Sequence, residues 1–337
     1  PLQPSVPDAV PGIGQRLMPG IESRLNGVWY GNEAPPLLLR VLSRAYLQAL
    51  RWRKPLNTRN LRVPVIVIGN FTVGGTGKTP LIIAVVERLK RLGLKPGVIS
   101  RGYGRVGRSA HSVHGGSTAG QSGDEPLLIF RRTHVPVQVD SDRLAAALHL
   151  IGVGCDVIVS DDGLQHRNLP RQIEIEVYDA ARGYGNGRLL PAGPLREFPR
   201  RVDMRVGNGL DADTASDYRM QLHLTYCVRL LDGARRRLSE FSAEPVHAVA
   251  GIGNPGRFFK ALEAEGIRII AHPFPDHHRF EPSDLPGGTV LMTEKDAVKC
   301  LAMEREDLWA VPAEADLSDV FFRDLEQQLE CAGEAHD

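Results

Sequence analysis

One stretch constrains this chain more than any other: Val65 to Thr79, VIVIGNFTVGGTGKT. Its opening run, Val65-Ile66-Val67-Ile68-Gly69, is apolar and β-branched, the pattern of a buried strand in a parallel sheet. Gly74-Gly75-Thr76-Gly77 follow, and Lys78-Thr79 open an apolar helix through Leu81-Ile82-Ile83-Ala84-Val85-Val86. Strand, glycine-rich loop, Lys-Thr and helix together form a phosphate-binding loop. The glycines let successive backbone N–H groups face one anion, and the helix N-terminus adds partial positive charge. Thr72, Val73, Gly74, Gly75, Thr76, Gly77, Lys78 and Thr79 are therefore the expected ATP contacts. Lys78 would reach the β/γ-phosphates and the Thr79 hydroxyl would ligate Mg²⁺. The pattern departs once from G-x-x-x-x-G-K-[ST]: its first Gly falls on Thr72, leaving Gly74 and Gly75 to supply the flexibility. Pro80 suits a first helical turn, where no intrahelical N–H is needed. The competing reading is a Gly-rich turn followed by a surface Lys, and the well-placed strand and helix argue against it.

With 337 residues the chain is long enough for two domains. A hydrophobic content of 42% and a charged content of 24% mark it as globular. The net charge of +1 argues against wholesale nucleic-acid binding. The local charge is uneven: from Ala34 to Val86 there is no acidic residue, while Arg40, Arg44, Arg51, Arg53, Lys54, Arg59, Arg62 and Lys78 all fall inside. Cys155, Cys227, Cys300 and Cys331 are far apart and read as free thiols in a reducing compartment. No signal peptide and no bilayer-spanning run is visible. The chain opens without Met, which reads as a trimmed N-terminus.

Residues 1–33 are rich in Pro and Gly and are expected to be ordered only in part. Residues 34–54 form a basic amphipathic helix with Arg40, Arg44, Gln48 and Arg51 in one polar stripe. It reads either as a helix in a membrane interface or as one packed on its own domain with a solvated Arg face. Short apolar runs then recur at Lys95–Ser100, Val135–Val139, Asp156–Ser160 and Ile173–Tyr178, alternating with helical stretches. A long Gly/Ser/His-rich loop reaches Gly123, and residues 182–209 look like active-site loop. The rhythm predicts an α/β fold: a P-loop NTPase-like, mainly parallel sheet flanked by helices over 55–220, with ligands outside its C-terminal edge. Tyr218–Arg229 reads as one strand. Strands at Val246–Gly251, Ile267–Ile270, Thr289–Thr293 and Leu308–Val311, with a helix over Lys295–Met303, predict a smaller C-terminal α/β domain over 221–337.

Several polar clusters could carry chemistry. Asp161-Asp162 stand at a strand end, where a P-loop enzyme needs carboxylates for Mg²⁺; Asp-Gly is also a common turn. Asp124-Glu125 read equally as helix-capping acids or as a general base and a metal ligand. Asp276-His277-His278 either lie in a solvated loop or bring a proton acceptor on a closing second domain. No third residue has metal-ligand spacing there. Arg196-Glu197 and Arg143 read as surface residues or as contacts to phosphate.

Taken together the motifs resemble one family, the tetraacyldisaccharide 4′-kinases of lipid A biosynthesis. Gly69-Asn70 with Thr72 to Pro80 resembles its phosphate loop, including the missing first Gly. Ser100 to Arg105, Gly123-Asp124-Glu125-Pro126, Asp161 to His166, Leu190 to Glu197, Phe274 to His278 and Thr293-Glu294-Lys295-Asp296 match in order, over about residues 25–312. The resemblance implies an ATP- and Mg²⁺-dependent kinase acting on the 4′-hydroxyl of a tetraacylated glucosamine disaccharide 1-phosphate, giving lipid IV-A. It implies that Asp124 and His277 activate the hydroxyl, and that Thr79 and Glu125 ligate Mg²⁺ with support from Asp161 and Asp162. Arg196 and Glu197 would lie near phosphates or the lipid head group; Arg143 is a substrate-contact candidate from its residue type alone. It further implies a β hinge between the domains. The helix at 34–54 would dock on the inner leaflet, at the cytoplasmic face of the bacterial inner membrane. No obligate protein partner is expected. The rival reading is a P-loop switch or assembly ATPase that needs no lipid and no hydroxyl base.

Overall fold

The computed structural model describes residues 21–31, 33–52, 61–209 and 216–334. Most of the segment 1–33, expected to be partly ordered, lies outside them, as do residues 53–54 of the predicted helix. The strands are β1 Val65–Gly69, β2 Pro96–Ser100, β3 His111–Ser112, β4 Val137–Val139, β5 Val157–Asp161, β6 Ile173–Asp179, β7 Met204–Asn208, β8 Tyr218–His223, β9 Tyr226–Arg229, β10 Arg235–Arg237, β11 Val246–Ala250, β12 Ile269–Pro273, β13 Val290–Thr293, β14 Leu308–Val311 and β15 Glu314–Leu317. The helices are α1 Ile21–Tyr30, α2 Leu37–Trp52, α3 Lys78–Arg91, α4 Ala119–Ser122, α5 Asp124–Thr133, α6 Arg143–Gly152, α7 Pro255–Ala264, α8 Glu294–Ala297 and α9 Asp319–Glu334.

The described residues form two compact units. The smaller joins α1 and α2 to the segment Tyr184–Leu195. Trp29 Nε1 donates to Pro191 O at 2.9 Å, and Ser43 Oγ to Leu189 O at 2.9 Å. Asn186 N donates to Trp29 O at 2.7 Å. Part of the predicted active-site loop is thus the support for the N-terminal helices. No residue of α2 is fully buried.

The larger unit carries two sheets. The first has nine strands in the order β15-β8-β7-β6-β1-β5-β2-β4-β3. From β8 through β4 every neighbouring pair is parallel; only the edge pairs β15/β8 and β4/β3 are antiparallel. β1 is buried along its whole length, as its unbroken apolar run requires. One face of the sheet packs α3, α5 and α9 through Leu81, Val85, Leu89, Leu127, Phe321 and Leu325. The second sheet runs β10-β9-β14-β13-β11-β12. Its core includes Val246, Ala248, Phe258, Leu262 and Trp309.

Three expectations change. The predicted strand Tyr218–Arg229 is two strands, β8 in the first sheet and β9 in the second, with Leu224-Thr225 between them. The predicted helix Lys295–Met303 is a four-residue α8 followed by a separate 3₁₀ turn at Leu301–Met303. The chain beyond Val311, assigned to the second domain, returns: β15 pairs with β8, and α9 packs on the first sheet. The second sheet is therefore built from a segment inserted between two elements of the first.

Candidate active site

The phosphate loop connects β1 to α3, and its backbone does what the glycines permit. Gly74 has φ 111° and Gly77 φ 93°, in the region that favours glycine. A Cβ on Gly77 would run into the Asn208 amide. Asn208, at the end of β7 and 1% exposed, donates to Thr76 O at 2.8 Å and accepts from Arg257 Nη2 at 2.6 Å. Asn70 Nδ2 donates to Thr72 O at 2.8 Å, and Asn70 Oδ1 accepts from Lys78 Nζ at 3.1 Å. Thr72 and Thr76 are buried, Val73 and Thr79 partly so, and Gly74 and Gly75 exposed. The glycine-rich loop is thus braced by two asparagines, Asn70 just before it and Asn208 from β7.

Lys78 also faces Asp162 Oδ1 at 3.5 Å, and Arg196 Nη1 donates to Asp162 Oδ2 at 2.6 Å. Burial would raise the Asp162 carboxyl, but Lys78 and Arg196 outweigh it and hold it well below the usual carboxylate range. Asp162 sits at φ 52°, just beyond the end of β5. Asp161, the last residue of β5, accepts from Ser100 Oγ at 2.8 Å. Its other oxygen is buried without a donor, and burial, then the negative charge of Glu125 and Asp162, pushes the carboxyl up to about 7. A buried carboxylate oxygen without a donor fits a divalent cation, and Mg²⁺ typically takes only one or two carboxylates, with phosphate and water completing the shell. Among the described residues no three Asp, Glu, His or Cys groups converge as a ready cage.

Glu197 accepts from Gln165 Nε2 at 3.3 Å, and that amide also donates to Asn70 O at 3.0 Å. Arg143, the first residue of α6, is 4% exposed, with Nη1 on Asp140 O at 2.6 Å and Nε without an acceptor. Burial lowers its guanidinium to about 10.

Asp124 opens α5, which starts at the same sheet edge because Gly123 packs on Gly102 just past β2. It is 5% exposed. Its Oδ1 accepts from Glu125 N at 3.0 Å, and its Oδ2 from His277 Nδ1–H at 2.9 Å. The pair spans the two sheets: α5 packs on the first, and His277 lies in the turn after β12 of the second. His277 has φ 59°, its N–H donates to Asp276 Oδ1 at 3.0 Å, and the Tyr103 ring lies 4.9 Å away. The hydrogen bond to Asp124 raises the imidazole above its ordinary value. Burial would raise Asp124, but His277 and Lys295 outweigh it and lower it. His278 is elsewhere, on Asp284 at 3.0 Å.

Sequence reasoning gave Lys295 no role. Its Nζ lies 3.0 Å from Glu125 Oε1, 3.4 Å from Asp276 Oδ1 and 3.9 Å from Asp124 Oδ2. Burial would lower this ammonium, but Glu125, Asp124 and Asp276 outweigh burial and keep it charged. The signal in the sequence was Thr293-Glu294-Lys295-Asp296, one of the motifs that carry the resemblance, which assigned Lys295 no role. Asn208 and Ser100, likewise missed, are ordinary strand-end residues in the sequence.

The model of the tetraacyldisaccharide-1-P 4'-kinase family matches residues 36–330. A tetraacyldisaccharide 4'-kinase of Stenotrophomonas maltophilia (strain R551-3) is 48% identical over 326 residues, covering 90% of this chain and 95% of that protein. The protein of the same name from Xanthomonas euvesicatoria pv. vesicatoria (strain 85-10) is 47% identical over 332 residues, covering 91% and 96%. A crystal structure of LpxK from Aquifex aeolicus in complex with ATP superposes with a TM-score of 0.72 at 28% identity, covering 86% of this chain and 98% of that one.

Proposed function

We infer how this site divides its work from one premise: the chain belongs to the tetraacyldisaccharide-1-P 4'-kinase family. Its reaction is ATP-dependent phosphorylation of the 4′-hydroxyl of a tetraacyldisaccharide 1-phosphate, in lipid A biosynthesis. Family membership speaks against the switch-ATPase alternative. In the reaction the 4′-oxygen bonds to the γ-phosphorus of ATP, the bond to the β,γ-bridging oxygen breaks, and ADP leaves with that electron pair. The hydroxyl proton passes to Asp124, working as one unit with His277. The observation that carries this assignment is the 2.9 Å Asp124–His277 pair at the sheet edge that also holds Asp161 and Asp162.

The phosphate loop holds the triphosphate through its backbone N–H groups, and Lys78 balances the β- and γ-phosphates. Mg²⁺ would be held by Thr79 and Glu125, with Asp161 and Asp162 in support, and when bound supplies neutralisation of the charge that develops on the phosphate oxygens. Arg196 fixes Asp162 and, with Glu197, would lie on the sugar-phosphate side; Arg143 is buried, which speaks against its predicted substrate contact. The lipid substrate keeps its acyl chains in the membrane. Helix α2 is the expected contact with the cytoplasmic face of the inner membrane, its Leu37, Leu38, Val41 and Trp52 at 73%, 68%, 52% and 82% exposure. Among the described residues no helix is long and apolar enough to cross a membrane.

The test is transfer of label from [γ-³²P]ATP to a tetraacyldisaccharide 1-phosphate in mixed micelles. Wild type should label the lipid, and Asp124→Ala should lose about 10²- to 10⁴-fold in rate. Steady ATP hydrolysis by both proteins with no labelled lipid would refute the assignment.

A further inference from the structure

We propose that Lys295 is a positioning residue for phosphoryl transfer: an ammonium from the second sheet that places and charge-balances Asp124 and His277. The proposal rests on the reading of that pair as the base. The Lys295 backbone is fixed before its side chain acts. Thr293 Oγ1 accepts from Asp296 N at 3.2 Å, capping α8. Asp296 Oδ2 accepts from Gly251 N at 2.8 Å and from Thr293 Oγ1 at 2.7 Å, tying α8 to the end of β11. From that anchor the side chain, 18% exposed, reaches the three carboxylates of Glu125, Asp276 and Asp124.

Those carboxylates come from both sheets. Asp124 and Glu125 open α5, whereas Asp276 precedes His277 and accepts its backbone N–H at 3.0 Å. Lys295 therefore acts on the pair from two sides, facing Asp124 at 3.9 Å and reaching His277 through Asp276. Without the ammonium, three like charges would crowd one another; Mg²⁺ would offset Glu125 alone, leaving His277 as the cation between Asp124 and Asp276. Repulsion would then push Asp276, and His277 with it, away from Asp124.

The plainer reading is that Lys295 staples α8 to α5. That seam already has a separate staple: Arg132 Nη1 reaches both Glu294 carboxylate oxygens, at 2.9 and 2.8 Å, from the far end of α5. The two contacts lie on the same pair of helices, so the structural and positioning roles can be separated. Arg132 touches no member of the base pair.

The experiment compares kcat and the KM for ATP of wild type, Lys295→Met, Lys295→Arg, Arg132→Met and Lys295→Met/Asp276→Asn, each with its melting temperature. Lys295→Met should lower kcat about 10²-fold, within the usual range for a disturbed base, and leave the KM for ATP within about threefold. Lys295→Arg should recover most of that loss. Arg132→Met should lower the melting temperature yet leave kcat within about threefold. Asp276→Asn keeps an oxygen for the His277 N–H but removes one of the three charges, so in the Lys295→Met background it should restore kcat by about fivefold or more. A kcat within threefold of wild type for Lys295→Met overturns the proposal. So does an equal loss in Arg132→Met, or no recovery with Asp276→Asn. Absence of lipid labelling by wild type would instead defeat the underlying reading of the reaction.

Discussion

At Asp124 two opposing influences meet, and the sign of each fixes how the site responds to pH. Burial favours the neutral acid; the His277 hydrogen bond and the Lys295 charge favour the carboxylate and prevail. The contribution of Asp124 to stability is therefore present above about pH 4, its unfolded value, and lost as pH falls through its lower folded value. For His277 the shift is upward, so its contribution is full below about pH 6.5 and is lost as pH rises through the raised folded value. The melting-temperature gap between wild type and His277→Ala should thus be widest near pH 5–6 and narrow towards pH 9, as differential scanning fluorimetry across that range would read; a constant gap would remove the pair. Residues whose partners are near in sequence were legible in advance. Lys78 sits eight positions from Asn70 in the loop its motif defines. Lys295 was not legible: its partners Asp124 and Glu125 stand about 170 positions away, and the resemblance, which paired the comparably distant Asp124 and His277, gave it no role.

At the scale of elements, periodicity identified the parallel strands but not where one sheet gives way to another. Only Leu224-Thr225 separate Tyr218–His223 from Tyr226–Arg229, with no Gly or Pro to mark a turn; what divides them is pairing to different neighbours, β7 and β15 on one side, β14 and β10 on the other. A long polar run likewise concealed β3 and the short α4, whose capping box Thr118–Gln121 lies inside the predicted loop. Helix α2 was legible as amphipathic, and its Arg40, Arg44 and Arg51 are exposed along with its apolar stripe. A basic amphipathic helix binds anionic bilayers through both apolar insertion and charge. Liposome flotation with anionic lipid should therefore carry the protein upward. Arg40→Glu/Arg44→Glu/Arg51→Glu should float markedly less, and equal flotation of the two would exclude this helix as the docking element.

For the molecule as a whole, the return of the chain from the second sheet decides which parts share their stability. Phe321 of α9 is fully buried, meets Tyr218 edge-on at 5.4 Å between ring centroids, and joins the core under α3. Tyr218 Oη donates to Asp324 Oδ2 at 2.6 Å. Phe321→Ala should cost about 3–5 kcal/mol. Hydrogen exchange should rise in α3, β8 and β15 while β11 and β13 stay protected; increased exchange in the second sheet instead would contradict the assignment of the tail to the first. The two crossings between sheets, β8 to β9 outward and β14 to β15 back, run as antiparallel neighbours in both ladders. The second sheet hangs on two pins, as a door does, and not on a single cord. Both strands together would resist twisting and sliding, which makes a swing along one arc the expected motion. A swing of this kind would carry His277 and Lys295 toward or away from Asp124 in step. Proton acceptance by the paired base would thereby become a property of the shut door, since behind an open one Asp124 stays on the first sheet without His277 or Lys295 beside it.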